Sequence, residues 1–242
     1  MSSTGTSTSG CSVCSVFNSS LRGSQPMVDV VRRRGRARAA ERQQPLGAAA
    51  ERYAAMGWPV CLGAYPSRGE VGRACSCDRV GCPAPAAHPM SPAWQMQATV
   101  DIAIIRGWWE TRPEANIMLA TGRVFDVLDV PAMTGTSALA GMAQAGVTSG
   151  PVAALGGDRM LFFVLTRGSP ADEDEWWSCG LDSEPESVTH GLRWHCRDSY
   201  VLAPPSRLAA GTGCRWMRTP EEYPLPDALR LLEHLVDACE AV

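Results

Sequence analysis

From Pro45 onward the apolar positions recur with a helical period. Leu46, Ala49, Ala50, Tyr53 and Ala54 share one face, and Gly57 ends the run as a C-terminal cap would. Trp58 to Leu62 reads as a short strand. Beyond a Cys-, Gly- and Pro-rich stretch, Thr99 is placed to cap a second helix carrying Ile102, Ile105, Trp108 and Trp109, which Arg112-Pro113 ends, with the tryptophans expected in the core. Asn116 to Ala120 and Val124 to Val130 alternate as strands around Thr121-Gly122-Arg123, which predicts a tight, central hairpin. A helix follows from Thr136 to Ala145, with Leu139 and Met142 apolar and Gly146 as its stop. Strands are expected at 151–155 and 160–166 around Gly156-Gly157, then an acidic helical segment from Ala171 to Trp177, then strands at 189–195, 199–203 and 214–217. Pro226 and Asp227 open a terminal helix with Leu229, Leu232, Val236 and Cys239 on one side. The pattern sums to an α+β fold, with helices packed on a mostly antiparallel sheet.

Residues 1–44 show neither period. They are rich in Ser, Thr, Gly and Arg, end in Arg32-Arg33-Arg34-Gly35-Arg36 with Arg38 and Arg42, and read as a disordered tail. The arginines could hold phosphate backbones or simply stay solvated. A lone Cys11-x-x-Cys14 lies in this tail, and translation could start at Met1 or at Met27. The expected organisation is therefore a tail at 1–44, a main domain at 45–220 with a Cys-rich loop at 73–90, and a C-terminal helix at 221–242 packed on that domain.

Charge and composition narrow the chemistry. With 22 basic and 25 acidic residues the net charge is -3, so any nucleic-acid binding must be local rather than a property of the whole surface. All the basic side chains other than histidine are arginines. Without lysine there is no Schiff base and no phosphate-loop Gly-Lys-Ser/Thr, which removes aldolase-like, pyridoxal and Walker-type readings. No apolar run is long enough to span a membrane and no export signal is read, so the expectation is a soluble, cytoplasmic protein. The ten cysteines are then expected to be reduced or metal-bound. Cys61, Cys179, Cys196, Cys214 and Cys239 are scattered through apolar surroundings and are assigned no chemistry.

Cys75-x-Cys77-x4-Cys82-x5-His88 differs, because it gathers three thiols and an imidazole in a loop that has no core of its own. Four such ligands close a tetrahedral zinc site of the structural kind, and zinc binding would then supply folding energy to the loop. The alternative is a loop of reduced, unligated thiols, since the CxC start departs from the commoner CxxC spacing. With all four positions filled by protein, no place is left for a catalytic water.

This loop, the helix with Trp108-Trp109, Asn116-Ile-Met-Leu-Ala-Thr-Gly122, Val127-Leu-Asp-Val130, Gly156-Gly-Asp-Arg-Met160 and Tyr200-Val-Leu-Ala-Pro-Pro-Ser206 together resemble the bifunctional DNA primase/polymerase N-terminal domain family, common in actinobacteria. The resemblance spans about residues 47–217. It implies an RRM-like sheet of the archaeo-eukaryotic primase superfamily, nucleoside triphosphate and DNA as partners, and Mg2+ or Mn2+ if the site is active. It also implies nucleotide contacts from Thr121, Gly122, Arg159 and Ser206.

Nucleotidyl transfer needs two divalent ions held by at least two carboxylates aimed at one spot, which a strand supplies as Asp-x-Asp. Here Asp129 is followed two residues on by Pro131, Met160 stands at the family's phosphate-contacting histidine, and the third carboxylate position falls near Arg193, with Asp198 as a substitute in a shifted register. Asp126, three residues from Asp129, is expected on the opposite face. Asp129 is either a residual carboxylate for one metal ion or a polar residue at a strand end. The expectation is a catalytically degenerate member with residual nucleotide or nucleic-acid binding. One alternative is an active primase-polymerase using Asp129 with Asp126, Asp158 or Asp198; another is a zinc-stapled regulatory or interaction module. His190 and His195, five apart, and His234 on the terminal helix are assigned no role. No Gly-x-Ser-x-Gly, His-Glu-x-x-His or Gly-x-Gly-x-x-Gly motif occurs.

Overall fold

The computed structural model describes residues 45–67, 75–77, 79–166, 191–209 and 211–240. The expected tail at 1–44, the acidic segment at 171–177, Cys179 and His190 lie outside them. In chain order the elements are α1 (Leu46–Ala55), β1 (Val60–Gly63), α2 (Trp94–Gln97), α3 (Ile102–Thr111), β2 (Asn116–Ala120), β3 (Phe125–Pro131) and α4 (Ala132–Ala145). They continue with β4 (Val152–Leu155), β5 (Arg159–Leu165), β6 (Arg193–His195), β7 (Tyr200–Leu202), β8 (Cys214–Arg218) and α5 (Ala228–Glu240).

The strands form two antiparallel sheets, one ordered β1-β2-β7 and the other β6-β3-β5-β4-β8. This confirms the α+β class with antiparallel pairing and corrects the single central hairpin. β2 and β3 are consecutive in sequence but sit in different sheets. Gly122, at φ +80°, turns the chain between them, and Arg197 is packed so close that a Cβ on Gly122 would lie 2.2 Å from its Cα. The β4–β5 hairpin forms as expected, in register from Val152 opposite Phe162 to Leu155 opposite Arg159.

Side chains alternate across β3 and β5, so the five-stranded sheet serves two cores. One face contributes Phe125, Val127, Leu161 and Phe163 to a cluster with α1, α3 and the smaller sheet. At its centre Trp58 stacks on Phe163, with ring centroids 5.4 Å apart, and Tyr53 donates to the Pro204 carbonyl at 2.6 Å while accepting from Trp216 Nε1 at 2.9 Å. Those hydrogen bonds let Tyr53 and Trp216 be buried without orphaned polar atoms. The other face contributes Leu128, Val130, Met160, Phe162 and Val164 against α4 and α5. Burying each such chain contributes about 1.5–3 kcal/mol, so both faces must be covered to hold the sheet.

Several local expectations shift. Asp101, not Thr99, caps α3, its carboxylate accepting from the Ala103 and Ile104 amides. Thr99 instead accepts from the Asp101 amide and so sets up that cap. Of the two tryptophans, Trp109 is buried and Trp108 packs at the margin of the core. Helix α4 begins at Ala132, directly off β3, four residues before the expected start. In α5 the buried stripe is Ala228, Leu231, Leu235 and Ala238, one position before each of the four residues expected to face inward. A helical side chain leans toward the N-terminus, and a small Ala at 228 and 238 allows the helix to sit close to the sheet.

Candidate functional site

Asp129 lies near the end of β3, whose neighbours are β5 and β6. The antiparallel register sets it opposite Leu161 on one side and Arg193 on the other. With a period of two, Val127, Asp129, Pro131, Arg159, Leu161, Arg193 and His195 fall on one face. Asp126 falls on the opposite face, as expected, where its buried Oδ2 accepts from Trp194 Nε1 at 3.3 Å.

Both carboxylate oxygens of Asp129 are engaged. Arg159 Nε donates to Oδ1 at 2.7 Å, and the same guanidinium donates through Nη2 to the backbone carbonyls of Asp129 at 3.0 Å and Gly191 at 2.8 Å. His195 Nε2 lies 3.5 Å from Oδ2, and its Nδ1 lies 3.0 Å from Ser199 Oγ. The hydroxyl donating to Nδ1 and Nε2–H pointing at the carboxylate form one consistent proton arrangement. Asp129 is 4% exposed, so these partners stand where water would otherwise solvate the charge. Arg193 is exposed and forms no ion pair among the described residues.

Met160 is on the far side of the sheet. It is 2% exposed and packed under α4, where Gly135 leaves room for its thioether. Asp158 lies in the β4–β5 turn, its carbonyl accepting from the Ala132 amide at 2.8 Å. Asp198 is on an exposed turn at φ 60°, 3.8 Å from Arg197 Nε.

Thr121, Gly122 and Ser206 are built into the scaffold. The Thr121 hydroxyl donates to the Cys196 carbonyl at 2.5 Å and its amide to the Ser199 carbonyl at 3.0 Å, so with Gly122 it holds the turn that presents Ser199 to His195. Ser206, 1% exposed, accepts from the Ile117 amide at 2.9 Å and latches β2. His195, assigned no role from the sequence, and Ser199, not singled out there, are thus joined to Asp129. Their signal was the i, i+2 pairing of Arg193 with His195 on a strand, which puts both on one face; comparing His195 with His190 hid it.

The second constellation is the Cys/His loop. The ligand atoms of Cys75, Cys77, Cys82 and His88 lie within 4.8 Å of one another, a set that could hold a metal ion. Among the described residues it is the group of three or more His, Cys, Asp or Glu side chains that converges in this way. His88 Nδ1 is 2.8 Å from the Pro89 carbonyl, which fixes the proton there and turns the Nε2 lone pair toward Cys75 Sγ, 3.4 Å away. The Ala86 amide donates to Cys75 Sγ at 3.3 Å. Cys77 is lowered to about 7, chiefly by the Arg79 amide, with the neighbouring thiols and His88 adding to it. Burial pushes Cys82 upward despite the Ala84 amide.

The loop is tied to the smaller sheet. Ala64 donates to the His88 carbonyl and Met90 to that of Leu62, extending β1, while buried Asn116 at the start of β2 donates to the carbonyls of Ala86 at 2.8 Å and Arg207 at 2.7 Å. Cys61, by contrast, is driven up to about 12 by burial and acts as a core side chain.

Residues 50–228 match the family of bifunctional DNA primase/polymerase N-terminal domains. Among curated proteins, none matches the sequence. No helix among the described residues is long and apolar enough to cross a membrane.

Proposed function

The chain belongs to the bifunctional DNA primase/polymerase N-terminal family, and on that premise we propose that it keeps the fold and an affinity for nucleotide or nucleic acid but does not transfer nucleotides. The observation that carries this reading is the state of Asp129. Its two oxygens face Arg159 at 2.7 Å and His195 at 3.5 Å, Pro131 stands where a second strand carboxylate would be, and Arg193 faces it from β6.

A pair of Mg2+ or Mn2+ ions does not fit this donor set. An incoming divalent ion would have to displace a guanidinium anchored by three hydrogen bonds, and would meet Arg193 where chemistry of this type needs another anion. Asp126 is on the wrong face to help, and Asp198 sits on an exposed turn.

The Cys/His loop fits zinc. Three thiolates and one imidazole lone pair make a closed, structural set, and the ion would hold Cys75–His88 against β1 and Asn116. This also supports a second reading, a zinc-stapled interaction module whose partner is DNA or an acidic protein.

Primer extension tests the main proposal. Purified protein with a primed template, all four deoxynucleotides and either Mg2+ or Mn2+ should give no product above a protein-free control. Extension that disappears in Asp129→Ala would overturn it.

A further inference from the structure

The family chemistry presents positive charge to phosphate through metal ions: two carboxylates and two divalent ions leave a net charge of about +2 on the sheet face. The same face of this chain carries its positive charge in side chains. Asp129 and Arg159 cancel as a 2.7 Å ion pair, and Arg193, directly across from Asp129 on the edge strand, remains exposed and unpaired among the described residues. The surplus charge is about +1 without any ion, and the sign is that of the metal-loaded site.

Building on the non-catalytic reading above, we propose that this face is a metal-independent phosphate site, in which Arg193 with the Asp129-anchored Arg159 replaces the divalent ions as the ligand of a phosphate oxyanion.

The geometry serves that role. A guanidinium is a planar fork of donors that matches two phosphate oxygens and cannot lose its proton at any ordinary pH. Arg159 is held in place by three hydrogen bonds through Nε and Nη2, and among the described residues its Nη1 makes none. Arg193 projects from β6 on the same face. His195 and Ser199 contribute by fixing the second oxygen of Asp129, so that the carboxylate does not turn outward and repel an anion. The shared ligand chemistry is a phosphate oxyanion, from the triphosphate of a nucleotide or from a nucleic-acid backbone.

Calorimetry separates these sources and tests the claim. Tripolyphosphate, ATP and a short single-stranded oligonucleotide would each be titrated into the full chain in buffer freed of divalent ions, with any metal at the Cys/His loop left in place. At least one should bind, and adding Mg2+ should not strengthen it. Tripolyphosphate and ATP binding alike would identify the triphosphate as the ligand; binding of the oligonucleotide alone would identify the backbone. Arg193→Gln should weaken the interaction about tenfold, the loss of one charge-assisted contact, while Arg112→Gln, exposed at the C-cap of α3, leaves it unchanged. Arg193→Asp, which returns a carboxylate to that position, should abolish binding in the absence of metal. Binding of none of the three, strict dependence on Mg2+, or indifference to both Arg193 variants would overturn the proposal. Failure here without primer extension leaves the absence of nucleotide transfer standing, although binding of none of the three would remove the affinity proposed with it, whereas Asp129-dependent extension removes the non-catalytic reading whatever the calorimetry gives.

Discussion

Replacing Asp129 with alanine separates a working metal site from a charge-paired one by the sign of the stability change. In a metal site without its ions, clustered carboxylates repel one another, and removing one commonly stabilises the fold. Here the side chain of Asp129 is 5% exposed and that of its partner Arg159 is 19% exposed, so the substitution strands a largely buried guanidinium. Breaking a buried pair in this way costs about 3–5 kcal/mol, and the two carbonyls that still accept from Arg159 Nη2 reduce this to about 2–3 kcal/mol. For a domain of this size that corresponds to a fall in Tm of roughly 4–12 °C. Asp129→Asn, which keeps an acceptor but not the charge, should cost about 1 kcal/mol. Equilibrium denaturation followed by tryptophan fluorescence gives the numbers, and a double-mutant cycle with Arg159→Gln isolates the pair, with a coupling of about 1–3 kcal/mol expected. An Asp129→Ala protein as stable as the parent, or more so, would refute the view that this carboxylate is held by the scaffold.

The loop should carry close to one zinc per chain, and Cys75→Ser should lose it together with the ordering of 75–90; protein purified without chelator and free of metal would count against the site. Cys77 should resist iodoacetamide while the ion is bound and react once a chelator has removed it, because a thiolate held by zinc is shielded from the reagent. Cys61, raised to about 12 and buried, should stay unmodified until the protein unfolds, which mass spectrometry of the labelled peptides would show. Gly122→Ala should be among the most damaging small substitutions, costing more than about 3 kcal/mol, because φ is +80° and the Arg197 backbone leaves a Cβ no space; a midpoint within error of the parent would contradict that packing.

What the sequence made legible follows from the range of the forces involved. Period and caps are local, so α1, α3, the β4–β5 hairpin and the stop at Gly146 could be read from a dozen residues at a time. The Cys/His loop was legible for the same reason, because all four ligands lie within one short segment. The placement of β2 and β3 in separate sheets was not, since Thr121-Gly122-Arg123 looks like any hairpin turn until Arg197, far along the chain, closes on it. Asp129 stood out as a carboxylate on a strand, but its partners Arg159 and His195 come from 30 and 66 residues away, and only the register of β5 and β6 brings them to it. The inward offset of the α5 stripe was missed because Leu229, Leu232, Val236 and Cys239 are apolar enough to pass for the buried set, whereas small Ala228 and Ala238 do the close packing.

The shortness of β6 has a consequence for the life of the protein in a crowded solution. Three residues long and paired, among the described residues, with β3 alone, it ends the larger sheet with a border that could recruit a strand from another chain. Arg193 sits on that border as a permanent cation with His195 two residues on, and charge on a brief edge strand is one of the ways proteins discourage self-association. A variant that neutralises Arg193 to study ligand binding therefore also removes a guard against aggregation, and its solubility should be followed alongside its affinity.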